Sequence, residues 1–130
     1  MEQTKRRILL VDDEPSIIKV ISKRLETSGF EVIVAMDGAE ALAKAASERP
    51  DLIILDLMLP ELDGYQVCSQ IRQEKGSRDI PVVVIFSGVG KEEDGALCQQ
   101  LGANAYVTKT DGTPVLLQKI NALLGEARAA

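Results

Sequence analysis

Five side chains of this sequence could do chemistry as a group: Asp12, Asp13, Asp56, Ser87 and Lys109. Apart from the adjacent pair they lie far apart along the chain, yet each stands at or just past the end of an apolar run. Ile8-Leu9-Leu10-Val11 precedes Asp12, Leu52-Ile53-Ile54-Leu55 precedes Asp56, Val82-Val83-Val84-Ile85-Phe86 precedes Ser87, and Ala105-Tyr106-Val107 comes shortly before Lys109. Runs of this kind read as strands buried on both faces, as in parallel sheets. In open parallel α/β sheets, chemistry gathers at the carboxyl ends of the strands. The spacing therefore predicts one functional edge, with Asp56 held out by the central run.

Three carboxylates in one crevice repel, and left alone some would be protonated or strained. A hard divalent cation relieves this. Mg²⁺ prefers oxygen ligands, takes one or two carboxylates and keeps waters that phosphate oxygens can replace. Lys109 would add a fixed positive charge, and Ser87 a hydroxyl able to hydrogen-bond an anion. The set predicts a phosphoryl-transfer site: a nucleophilic carboxylate, a metal, a lysine and a hydroxyl aimed at the oxygens of the transferring group. Taken singly, each residue has a plainer reading. Asp12 and Asp13 could cap a helix, Ser87 could be a turn residue and Lys109 a surface lysine. Their joint occurrence at successive strand ends favours the chemistry.

The elements that must position these residues alternate along the chain. Arg7–Val11 reads as the first strand. Pro15 then starts a helix to Ser28, with Ile17, Ile18, Ile21 and Leu25 on its apolar face and Gly29 as its C-cap. Glu31–Ala35 is a second strand and Asp37-Gly38 a turn. Ala39–Ser47 is a small alanine-rich helix, its end marked by Pro50. After the strand to Asp56, Asp63-Gly64 opens a third helix with Val67, Cys68 and Ile71 facing inward. Ile80–Phe86 is a fourth strand, with Pro81 near its start, where proline is tolerated. Lys91–Leu101 reads as a weak helix, with little apolar face and Gly95 inside it. Asn104–Thr108 is a short fifth strand. Thr113 can cap a last helix begun by Pro114, with Leu116, Leu117, Ile120, Leu123 and Leu124 as its stripe and a frayed tail from Gly125. Five βα units predict a doubly wound α/β fold: a five-stranded parallel sheet, ordered 2-1-3-4-5, with helices on both faces. The crevice between strands one and three would bring the aspartates together.

Composition limits the alternatives. The 130 residues fit one domain, 1–130, with its core about 6–125. Apolar residues make up 45% and charged residues 27%, as in an ordinary soluble domain. A net charge of −5 argues against direct binding to nucleic acid, which needs a basic face. The basic cluster Lys5-Arg6-Arg7 reads as a solvated lead-in to the first strand. No stretch is long and apolar enough for a membrane span, and no secretory segment is evident, so a cytoplasmic location is expected. Cys68 and Cys98 form no CxxC, and there is no histidine. A zinc site or structural disulfide is thus not expected, and both cysteines read as buried free thiols.

At this point the chain resembles the receiver domain of bacterial response regulators, of which the CheY-like chemotaxis regulators are the single-domain type. The resemblance rests on Val11-Asp12-Asp13-Glu14-Pro15, Asp56-Leu57-Met58-Leu59-Pro60 with Asp63-Gly64, Ser87, and Gly102-Ala103 leading to Tyr106 and Lys109. It implies that Asp56 is the phosphoacceptor, taking a phosphoryl group from a phosphohistidine on a sensor histidine kinase or phosphotransfer protein. It further implies that Asp13, Asp56 and the Met58 backbone carbonyl ligate Mg²⁺, with Asp12 acting through a metal-bound water. Lys109 would pair with the phosphoryl group. Ser87 would move to hydrogen-bond it, and Tyr106 would turn inward into the vacated space. That shift would remodel the face made by the 91–101 helix, the fifth strand and the last helix, where a downstream effector protein or domain binds. A weak 91–101 helix suits such a switch.

The sequence departs from the family pattern at three places. Thr110 follows Lys109 where receivers usually have proline, which bears on how the lysine is placed, since a cis bond there would cost about 3 kcal/mol. Gly88 replaces a commoner alanine, predicting a more open rim. Asn104 and Ala105 stand where winged-helix regulators that dimerise through this face usually carry acids. Two other functions compete. A pseudo-receiver acting as a phosphorylation-independent binding module is disfavoured by the intact acid, serine and lysine set. A metal-dependent phosphatase is disfavoured because Met58, not an acid, lies two residues after Asp56. The expected chemistry is self-phosphorylation with slow self-dephosphorylation, not turnover as an enzyme.

Overall fold

The computed structural model describes residues 6–56, 64–74, 79–86, 100, 102–108 and 112–129. The strands are β1 (Arg7–Val11), β2 (Glu31–Ala35), β3 (Leu52–Asp56), β4 (Val82–Phe86) and β5 (Ala105–Thr108). The helices described are α1 (Pro15–Thr27), α2 (Gly38–Glu48), α3 (Gly64–Gln73) and a C-terminal helix (Gly112–Ala129). All strand pairs are parallel, as the alternation of strand and helix patterns predicts, and the order is β2-β1-β3-β4-β5, that of the expected doubly wound sheet.

The double winding follows from the two-residue period of the strands. Leu9, Val11, Ile53, Leu55, Val82 and Val84 face one core, which α2 and α3 close with Ala41, Ala45, Val67, Cys68 and Ile71. Ile8, Leu10, Leu52, Ile54, Val83 and Ile85 face a second core. There α1 contributes Ile21 and Leu25, and the C-terminal helix contributes Leu116, Ile120 and Leu124. All five residues of β3 are buried, so this strand sits in the middle of both cores.

Local signals set most helix ends. After α1, Gly29 adopts φ +99°, its N–H reaches the Glu26 carbonyl, and the Phe30 N–H reaches that of Leu25. These two hydrogen bonds, from the N–H groups of Gly29 and Phe30, satisfy carbonyls that have no partner within the helix. The expected 37–38 turn is instead the start of α2. Asp37 is its N-cap, accepting from the Glu40 N–H at 2.8 Å, while the Glu40 carboxylate accepts from the Met36 N–H at 2.8 Å. This reciprocal arrangement is close to a capping box, and it lets Gly38 be helical.

Other boundaries moved for identifiable reasons. β4 begins at Val82 rather than at Ile80. Pro81 has no N–H to offer a ladder, and the Ile80 carbonyl accepts from the Arg72 side chain instead. The C-terminal helix is assigned from Gly112, so Thr113 lies within it and not at its cap. Gly112 itself has φ +82°, a left-handed value that glycine adopts at no steric cost. The helix also runs on through the expected tail to Ala129. Glu126, Ala127, Arg128 and Ala129 are all tolerable helix formers, and a glycine within a helix costs only about 1 kcal/mol. The 91–101 helix lies outside the described residues except for Gln100, which is helical.

The basic lead-in proves to be structural. Arg7 donates to Glu31 at 3.1 Å and to both the carbonyl (2.7 Å) and carboxylate (2.6 Å) of Glu48. These bonds raise its pKa, the Glu48 carboxylate contributing most. Arg6 pairs with Asp51 at 3.6 Å, and Asp51 also accepts from the Arg7 N–H at 2.7 Å. Both arginines hold the amino edge of the sheet, opposite the acids. Among the described residues no helix is long and apolar enough to cross a membrane.

Candidate functional site

β1 and β3 are neighbours with Val11 opposite Leu55, so the residues that follow, Asp12 and Asp56, emerge side by side. The carboxylates of Asp12, Asp13 and Asp56 come together, each offering an oxygen within 4.8 Å of the others. Asp12 and Asp56 are each only 1% exposed, whereas Asp13 is open to solvent. Two buried acids and one exposed acid at a strand crossover form the crevice that the strand order predicts.

Helix capping does not explain the acids. The N-cap of α1 is Glu14, whose side chain makes no capping bond, and the first turn carries no acid. Asp12 accepts from the Glu14 N–H at 3.0 Å, which fixes one carboxylate oxygen just outside the helix. The Asp12 N–H donates to the Ala35 carbonyl at 3.1 Å, continuing the β1–β2 ladder and pinning the backbone beneath the site. The oxygen-only donor set suits a hard divalent cation such as Mg²⁺. Such an ion would offset the like charges of the three carboxylates.

Tyr106 lies on β5 opposite Val84 of β4 and is 38% exposed, so its ring stands at the surface. Ser87, Gly88, Lys109, Thr110 and the Met58 carbonyl lie outside the described residues, as does Cys98. Cys68 is buried and in no disulfide, and burial pushes its thiol pKa up, with Arg72 opposing.

Sequence reading missed Arg72. Its guanidinium donates from Nε to the Gly102 carbonyl at 2.7 Å and from Nη1 to that of Ile80 at 2.6 Å. From Nη2 it donates to Asn104 Oδ1 at 2.5 Å. Burial pushes its pKa down, though arginine stays charged in proteins. Asn104, expected as the first residue of the fifth strand, lies just before it and also accepts from the Val82 N–H at 2.9 Å, returning its own N–H to the Val82 carbonyl at 2.8 Å. Gly102 was the available signal: it has φ +103°, and a Cβ there would sit 2.6 Å from Arg72 Cγ.

Comparison with known proteins agrees with this geometry. The pattern defining the response regulator receiver domain matches residues 8–121. The chain is 43% identical over 125 residues to the alkaline phosphatase synthesis transcriptional regulatory protein PhoP of Bacillus subtilis (strain 168), covering 96% of this chain and 51% of that protein. It thus spans about half the length of the curated relatives it matches. The Vibrio cholerae chemotaxis protein CheY4 superposes with a TM-score of 0.85 at 29% identity, covering 92% of this chain and 98% of that one. The receiver domain of the sensor histidine kinase PA1611 from Pseudomonas aeruginosa PAO1, solved with a magnesium ion in its active site cleft, superposes with a TM-score of 0.85 at 30% identity, covering 94% of this chain and 99% of that one. Strand order, acid cluster and sequence match agree: the chain belongs to the response regulator receiver domain family of two-component signalling.

Proposed function

We propose that this chain is a phosphoacceptor switch in which Asp56 takes a phosphoryl group from a phosphohistidine on a sensor histidine kinase or phosphotransfer protein. The observation that carries the reading is the convergence of the Asp12, Asp13 and Asp56 carboxylates at one strand crossover, with Asp12 and Asp56 buried. An Asp56 carboxylate oxygen attacks phosphorus. The O–P bond forms, the P–N bond breaks, and the imidazole leaves with the electron pair and takes up a proton. Burial strips water from Asp56 and fixes its approach, while the Asp12 oxygen bonded to the Glu14 N–H keeps that acid in place. Asp13 and Asp56, with the Met58 carbonyl, would hold Mg²⁺ directly, and Asp12 through a water. The ion would supply charge neutralisation and orient the phosphoryl oxygens. Lys109 and Ser87 are assigned to the incoming phosphoryl group, and Tyr106 to the response.

The donor needs a surface beside Asp56. An apolar groove of about 240 Å³ between α1 and the C-terminal helix includes Ile85, the register partner of Asp56, and Val20, which is 61% exposed. It supports docking of the phosphoryl donor there. The downstream partner, an effector protein or domain, would read the face around Tyr106. Direct contact of these 130 residues with nucleic acid is not part of the reading, because their net charge is −5 and Arg6 and Arg7 are engaged with acids. The proposed role is that of a self-phosphorylating cytoplasmic domain that loses its phosphate slowly, not of a turnover enzyme.

Treatment with a small phosphodonor and Mg²⁺, read by intact mass, tests this. The parent should gain one phosphate and Asp56→Asn none. Chelation of Mg²⁺ should abolish the gain. An unmodified parent at saturating donor would instead identify a phosphorylation-independent binding module.

A further inference from the structure

We propose that Arg72 is a positioning residue for the switch, setting how readily β5 opens without altering the acid site; this rests on the phosphoacceptor reading above. β5 has four residues and lies at the edge of the sheet, paired to β4 alone. Short edge strands are the places where a sheet opens first. The amino end of β5 is held by Asn104, which exchanges two bonds with Val82. Arg72 binds the same Asn104 oxygen, and with its other nitrogens the Gly102 and Ile80 carbonyls. One guanidinium on α3 therefore ties together the entrances of β4 and β5.

The fork geometry suits three acceptors at once, and charge-assisted bonds are stronger than neutral ones. Arg72 is partly buried, so water screens these bonds less than at an open surface. Gly102 lets the turn lie directly against the arginine stem, where any side chain would collide. The clamp sits at the amino edge, while Tyr106 lies further along the same strand. Freeing the amino end leaves β5 held by its four-residue ladder, so the position of Tyr106 becomes easier to change. The acids sit on β1, β3 and the residues after them, which Arg72 does not touch through these bonds.

Amide hydrogen exchange in the unphosphorylated protein tests the clamp without calling on phosphorylation. In Arg72→Ala, amides of Ala105–Thr108 should exchange about tenfold or more faster. Those of Leu9, Leu10, Ile53 and Ile54 should be unchanged. Arg72→Lys, with one donor group in place of a fork, should lie between. Asn104→Ala removes one Arg72 leg together with the bond from the Val82 N–H, and serves if Arg72→Ala does not fold. A ¹⁹F label on Tyr106 should show its resonance moved in Arg72→Ala before any donor is added, with Mg²⁺ affinity as in the parent. Unchanged exchange in β5, or equal acceleration in β1, β3 and β5, would overturn the proposal. If the parent's Tyr106 signal ignores the phosphodonor while the exchange pattern holds, the clamp stands and the phosphoacceptor reading fails.

Discussion

At the scale of single residues, the decisive fact is that three carboxylates share one small volume. Each repels the others, and the repulsion is stronger because two are buried. Replacing Asp13 by asparagine should therefore raise stability in the presence of a chelator at low salt, by about 1 kcal/mol given that Asp13 is exposed and screened. The same change should remove most of the stabilisation that Mg²⁺ confers on the parent, which is about 2.7 kcal/mol at a hundredfold excess over Kd. Urea unfolding of both proteins, with Mg²⁺ and with chelator, checks the pair of effects. An Asp13→Asn protein that is weaker in chelator, or stabilised by Mg²⁺ as much as the parent, would contradict the assigned role.

At the scale of elements, α2 shows how a helix end can depend on pH. The Glu40 carboxylate accepts from the Met36 N–H and pairs with Lys44, whose own Nζ donates to the Val34 carbonyl at 2.6 Å. The Met36 bond, then the Lys44 bond, hold the Glu40 pKa below its ordinary 4.5. A depressed carboxylate pKa contributes stability that is fully present above the unfolded value and is lost as pH falls through the folded one. Glu40→Gln should therefore be less stable than the parent at neutral pH, with the gap closing as pH drops below about 4.5. Denaturant midpoints at pH 7 and pH 3 measure this. A gap that persists unchanged at pH 3 would place the loss in packing, not in the charge. At the other end of α2, Arg49 takes φ +45° directly before Pro50. The helix thus stops at a left-handed residue that is not glycine, one position before the proline that marks its end in the sequence.

At the scale of the whole molecule, one sheet separates two cores, and β3 belongs to both. Ile53 lies in the core closed by α2 and α3, Ile54 in that closed by α1 and the C-terminal helix, and both are fully buried. Truncation of either to alanine should cost a similar amount, about 2–5 kcal/mol, because each leaves a cavity in a complete core. In a sheet covered on one face only, one of the two would be nearly silent. Equilibrium unfolding of Ile53→Ala and Ile54→Ala distinguishes these cases. The molecule is also polarised from edge to edge. Arg6 and Arg7 bind acids at the amino edge, and the acid cluster sits at the carboxyl edge.

Much of this was legible in the sequence. Short apolar runs that lack alternation, are rich in Ile and Val and end at turn residues fit strands buried on both faces, so the βα order and the placing of Asp12, Asp13 and Asp56 at one edge followed from local pattern. The apolar stripes of α1, α3 and the C-terminal helix were equally readable, because a 3.6-residue period identifies a buried face without knowledge of what covers it. Tertiary structure alone decided the roles of Arg7, Arg72 and Asn104. Their partners lie 24 to 44 residues away for Arg7, 8 to 32 for Arg72 and 22 to 32 for Asn104. A polar side chain carries no periodic signal of its partner, and only the folded sheet brings the acceptors within reach. For the acid cluster the division is the same: the strand ends named the residues, and the parallel register of β1 and β3 set their carboxylates within one ion's reach.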